Sequence, residues 1–91
     1  MDRRVHIEVR GRVQGVGFRM FICRRALELG LCGRVRNTGH GTVSIDVQGA
    51  AGLVEELISA ARTGPPASSV SGISTNERPL DFSMSGFRVT D

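Results

Sequence analysis

The spacing of apolar residues changes along the chain, and that change restricts the fold more than any other feature. Val5, Ile7 and Val9 alternate with Arg4, His6, Glu8 and Arg10. Arg4 to Arg10 therefore reads as a strand with one face on a core and one in water. Phe18, Phe21, Ile22, Ala26 and Leu29 then recur at helical spacing, which predicts a helix over about Phe18 to Leu29. Gly30 stands where a helix stops on a left-handed residue. Gly33 to Asn37 and Thr42 to Gln48 read as a hairpin around Thr38-Gly39-His40-Gly41, with Val43, Ile45 and Val47 on one face. Leu53, Val54, Leu57, Ile58 and Ala61 give a second amphipathic helix, ended by Gly64 and Pro65-Pro66. Val70 to Thr75 is a weaker strand, because Val70 and Ile73 do not keep strict alternation. Phe87 and Val89 mark a last short strand.

Up to the last short strand, the order is thus strand, helix, strand, strand, helix, strand. Helices this few cover only one face of the sheet, which fits strands that alternate. The expected architecture is α+β: a ferredoxin-like βαββαβ sandwich, an antiparallel sheet with two helices on one face. The 91 residues are expected to form a single domain spanning 1–91, with a small core that needs good patterning. No repeat, linker or low-complexity segment interrupts it. His6 falls on the wet face and reads as a solvated histidine. Cys23 and Cys32 read as reduced, partly buried thiols rather than a disulfide framework. There is no apolar run long enough for a transmembrane helix and no start like a signal peptide, so a cytoplasmic protein is expected.

Chemistry concentrates in Gly11-Arg12-Val13-Gln14-Gly15-Val16-Gly17-Phe18-Arg19. Its glycines permit a tight turn and a close approach of backbone to ligand. The helix that follows offers free N–H groups and a positive dipole end. Arg19 in the first turn opposes that dipole by roughly 0.3–1 kcal/mol, and a bound anion removes the conflict. By spacing alone, a turn feeding a helix and a phosphate cradle both fit. A dinucleotide fingerprint does not, because Met20 stands where a third glycine is required; nor does a Walker loop, which needs Gly-Lys-Ser/Thr. All 12 basic residues are arginine, whose planar fork suits phosphate, although a compositional bias accounts for most of them. The formal charge of +3 is not clustered in the manner of a nucleic-acid binder. The exposed sheet positions also lack the Tyr or Trp with which such sheets stack RNA bases.

Other chemistries lack parts. A cysteine phosphatase needs an arginine six residues after its thiolate, where Cys23 has Leu29 and Cys32 has Thr38. His6 and His40 are isolated, so no metal-ligand spacing exists. No serine has the pattern of a triad. Asn37 ends a strand before a turn; it is either a turn former or a side chain that positions a water or a phosphate oxygen.

Val9 to Arg19 resembles the signature loop of the acylphosphatases throughout. Gly33-Arg34-Val35-Arg36-Asn37, followed by Gly41, Val43 and Gly49, resembles the family's second signature with one departure. The similarity of layout covers almost the whole chain, including Gly64-Pro65-Pro66. The resemblance implies hydrolysis of acyl phosphates to a carboxylate and inorganic phosphate, with no metal and no cofactor, on a ferredoxin-like sandwich. It implies that Arg19 binds the phosphoryl group and Asn37 orients the attacking water. The substrate phosphate would be held by Gln14, Gly15, Val16, Gly17, Phe18 and Arg19. The expected partners are a small-molecule acyl phosphate and the phosphate product, with no nucleic acid and no membrane, and the chain is expected to be a monomer. Three positions depart from the family pattern. Arg34 and Met20 replace aromatic residues, and His40 replaces a common aspartate. Alternation puts Arg34 on the wet sheet face, so surface packing rather than chemistry should change there. His40 lies near Asn37 in sequence and bears on pH behaviour.

Overall fold

A computed structural model describes residues 1–90. The first alternating segment forms β1 (Asp2–Arg12), with Val5, Ile7 and Val9 fully buried. Strand β3 (Val43–Ala50) pairs antiparallel with it, setting Val5 opposite Val47 and Ile7 opposite Ile45. Each such pair of β-branched side chains adds roughly 0.2–1 kcal/mol. Strand β2 (Cys32–Asn37) pairs antiparallel with β3, and β4 (Ser69–Arg78) antiparallel with β1. Strand β5 (Phe87–Thr90) joins the far edge parallel to β2, giving the order β4-β1-β3-β2-β5. The ferredoxin-like plan is present, but its sheet is mixed rather than wholly antiparallel. Alternation marks a strand and carries no information on the direction of its partner.

Helices α1 (Phe18–Glu28) and α2 (Ala51–Thr63) bury Phe18, Ile22 and Ala26, and Val54, Leu57, Ile58 and Ala61. These side chains join the inward strand residues in one core. Burying a ring such as that of Phe18 contributes about 1.5–3 kcal/mol. Helix α2 is closed by Gly64 at φ 69°. A Cβ there would stand 2.3 Å from Ser68 Oγ and 2.8 Å from the Phe18 ring. The bare glycine therefore makes room for the residue that begins α1.

Strand β4 is longer than its sequence pattern suggests. Its register against β1 shifts between Arg10 and Gly11, with Arg10 opposite Gly72 and Gly11 opposite Val70. The extra residue, Ser71, makes a bulge. That bulge accounts for the broken alternation of Val70 and Ile73.

The face of the sheet away from the helices is only partly open. Asp46 and Gln48, on that face by alternation, are each 8% exposed. A strap over residues 79–86 crosses them. Arg4 Nη1 donates to Pro79 O at 3.2 Å. Gln48 Nε2 donates to Asp81 O at 2.9 Å, and Asp81 N donates to Gln48 Oε1 at 2.8 Å. Gly33 N donates to Gly86 O at 2.8 Å. Under the strap, Arg4 grips Asp46 through two hydrogen bonds of 3.0 and 2.9 Å. His6 is not the solvated residue expected: it is half-buried, with Nε2 2.8 Å from Ser44 Oγ. Cys23 and Cys32 are free, half-buried thiols. Among the described residues no helix is long and apolar enough to cross a membrane.

Candidate active site

The loop between β1 and α1 turns on Gly15 at φ 74° and Gly17 at φ 79°, a region that side-chain-bearing residues rarely adopt. A Cβ at either glycine would meet nothing within 4 Å. The glycines thus answer to backbone angle, and the outer side of the loop is clear. Gly17 is the N-cap of α1 and supplies no side-chain cap. The first helical bond runs from Phe21 N to Gly17 O at 3.1 Å, so the amides of Phe18, Arg19 and Met20 have no partner within the helix. No acidic residue stands in the first turn. A helix start that is neither capped nor neutralised suits an anion.

Gly15, Gly17, Phe18, Arg19 and Asn37 border one open cleft of about 170 Å³, with Val13, Met20 and Val89 as apolar walls. Arg19 is half-buried and forms no ion pair among the described residues. The sheet brings Asn37 to the same cleft, because it is the last residue of β2. Its Oδ1 is buried and accepts no hydrogen bond among the described residues. Leaving such an acceptor unmet costs about 1–3 kcal/mol. At the wall of a cleft it is a place for a donor such as water.

A tie holds the two halves together. Gln14 Nε2 donates to Thr38 O at 3.0 Å and to Thr42 O at 2.9 Å. The turn it grips is closed by Thr38 N to Thr42 O at 2.9 Å and by their hydroxyls, 2.7 Å apart. The cradle loop is thereby fastened to the residues just after Asn37. The side chain of Gln14 faces this turn, and Val16 packs on the core; neither borders the cleft. No local sequence signal marks Gln14 as a tie, since its partners are main-chain carbonyls 24 and 28 residues away.

The three departures sort by position. Met20 borders the cleft and is 58% exposed. His40 is exposed on the turn and donates its main-chain N–H to Thr38 Oγ1 at 3.3 Å, outside the cleft. Arg34 is exposed on the far sheet face, 3.7 Å from Asp46. Among the described residues no group of three or more His, Cys, Asp or Glu is placed to hold a metal ion.

The acylphosphatase family model matches residues 5–89. The chain belongs to the acylphosphatase family. An acylphosphatase of Chlorobaculum tepidum is 49% identical over 88 residues, covering 97% of this chain and 96% of the relative. One from Shewanella amazonensis is 48% identical over 88 residues, covering 97% of each. The crystal structure of the acylphosphatase from Bacillus subtilis superposes with a TM-score of 0.94 at 34% identity, over 100% of both chains. The family's reaction, hydrolysis of an acyl phosphate, is therefore the activity of this chain.

Proposed function

We propose that acyl phosphate hydrolysis here divides between two elements. Arg19 and the main-chain amides of the loop from Gly15 to Phe18 hold the phosphoryl group, with Gln14 tying that loop in place, and Asn37 orients the attacking water. The observation that carries this reading is the buried, unpartnered Oδ1 of Asn37 beside a cationic, amide-rich helix start. That oxygen accepts a hydrogen bond from water, whose lone pair then points at phosphorus. The guanidinium fork and the loop amides face the phosphoryl oxygens, where charge reorganises in the transition state. As the new P–O bond forms, the bond to the acyl oxygen breaks and its electrons leave with the carboxylate. The conjugate acid of that carboxylate has a pKa near ~4, so it departs without a general acid. The water's proton passes to a phosphate oxygen of the substrate, and inorganic phosphate is released. The enzyme on this reading is a monomer, and its substrate a small acyl phosphate.

Steady-state hydrolysis of benzoyl phosphate by Asn37→Ala tests the assignment. The expected result is a kcat lower by on the order of 10²-fold, as for loss of one preorganised partner. KM should barely move, the pattern of an interaction made mainly in the transition state. A variant that folds by circular dichroism and keeps near-normal kcat would make Asn37 a turn residue only.

A further inference from the structure

A second group of cations lies on the other face of the sheet. Arg34 and Arg88 are direct neighbours in the parallel pairing of β2 with β5, and both are exposed. Paired strands run about 4.8 Å apart, and like charges placed opposite one another repel. The protein does little to relieve this. Asp46, opposite Arg34 in β3, already receives two hydrogen bonds from Arg4 and approaches Arg34 only at 3.7 Å. Arg88 has no ion pair among the described residues. Arg36, two positions along β2 and on the same face, is exposed and adds a third positive charge. Asp81 lies nearby on the strap, and its Oδ1 accepts from Ser83 N at 3.0 Å and Ser83 Oγ at 2.6 Å. Asp46 thus answers both Arg4 and, more distantly, Arg34, and among the described residues Arg36 and Arg88 form no ion pair.

Arg34 and Arg88 border a cleft of about 190 Å³ with the strap residues Asp81, Ser83, Met84 and Ser85. The strap is fixed at both ends by the Gln48–Asp81 and Gly33–Gly86 bonds, and braced by Met84 N to Asp81 O at 3.1 Å. Two guanidinium groups thus border the cleft with the Ser85 side chain, while the Ser83 hydroxyl is given to Asp81 Oδ1. We propose that this cleft is a second oxyanion site, separate from the one at Gly15 to Arg19, and that it takes a phosphate dianion, free or as a monoester. A dianion between Arg34 and Arg88 replaces their repulsion by charge-assisted hydrogen bonds.

Amide NMR at constant ionic strength tests it, with inorganic phosphate and phenyl phosphate titrated separately. The amides of residues 83–88 should shift and saturate on a curve separate from that of residues 15–20. Arg34→Ser and Arg88→Ser should each weaken the first curve roughly tenfold or more, the value of a hydrogen bond to a charged group. Both together should abolish it while the second curve and benzoyl phosphate turnover stay intact, which also reports that the variant is folded. Arg19→Ala should do the reverse. Tighter binding of phenyl phosphate would assign the site to an organic monoester lying against Met84; equal or weaker binding would assign it to inorganic phosphate. No saturable shift at residues 83–88 with either probe, or a shift indifferent to the double substitution, overturns the proposal.

Discussion

The glycine loop and the strap treat their polar groups in opposite ways. In the strap, Gln48 satisfies both main-chain groups of Asp81, Arg4 holds Pro79, and Ser83 closes on the Asp81 carboxylate. At the loop and the cleft it shares with β2, the helix start has no side-chain cap and, among the described residues, Arg19 has no ion pair and Asn37 Oδ1 has no donor. Yet the loop is not slack, since Gln14 fastens it from behind. Matched polar groups stabilise a fold; unmatched ones on a backbone held in place are available to a substrate. The contrast separates residues that hold this molecule together from residues that do its chemistry.

The largest effect should come from the loop side. Arg19→Ala should lower kcat/KM for benzoyl phosphate by about 10³-fold or more, as for loss of an arginine that stabilises a transferring phosphoryl group. Arg19→Lys should recover little, because a point charge does not reproduce the fork. Thermal unfolding should hardly change, since no ion pair is lost. A large fall in Tm would place Arg19 with the structural residues and erase the contrast.

The strap should answer in the other currency of measurement. Gln48→Ala removes both bonds to Asp81 and should cost about 1–3 kcal/mol of stability. Its kcat should stay near the parent value, as no cleft residue at Gly15 to Arg19 is touched. Chemical denaturation and kinetics on one preparation decide the point; a loss of turnover without a loss of stability would reverse the roles.

Ligand binding should shift the balance from the loop side by a smaller amount. Sulfate or phosphate at about ten times its dissociation constant should stabilise the fold by about 1.4 kcal/mol. Measured with Arg34→Ser and Arg88→Ser in place, so that only the loop side binds, most of the gain should vanish on adding Arg19→Ala. An undiminished gain in that variant would move anion binding away from the helix start.

The smallest effect concerns acid. The Asp81 carboxyl is held below its ordinary range, chiefly by the Ser83 hydroxyl and amide, with Arg4 and Arg34 assisting. A folded pKa below the unfolded one gives stability that is present above the usual carboxylate range and is lost as pH falls through the folded value. Asp81→Asn keeps an acceptor for Ser83 but removes this titration. The acid limb of its stability curve should be shallower than that of the parent, and an unchanged limb would show that Asp81 adds nothing to it.

Much of this was legible in the residues. Val5, Ile7, Val9, Val43, Ile45 and Val47 announced the central strands, and all are buried. Gly15, Gly17 and Gly64 marked turns that do carry positive φ. What escaped was non-local. Asp46 and Gln48 sit at wet positions by alternation, and only the crossing of a distant strap buries them. The parallel seating of β5 and the Ser71 bulge are properties of pairings, not of any one segment. In the site, Arg19 and Asn37 stood in motifs, whereas the tie made by Gln14 depends on a turn brought near by the sheet.

The central place of β1 has a consequence in time. Arg4 pairs on one side with Gln48 and on the other with Arg78, so β1 waits for partners from far along the chain. Such non-local closures are slow, and mixed domains that depend on them fold more slowly than helical bundles. The cleft depends on the same closures, because its loop follows β1 and Asn37 reaches it only through β2 and β3. Helical signal therefore returns early in refolding, and hydrolysis of substrate is among the last properties the chain regains.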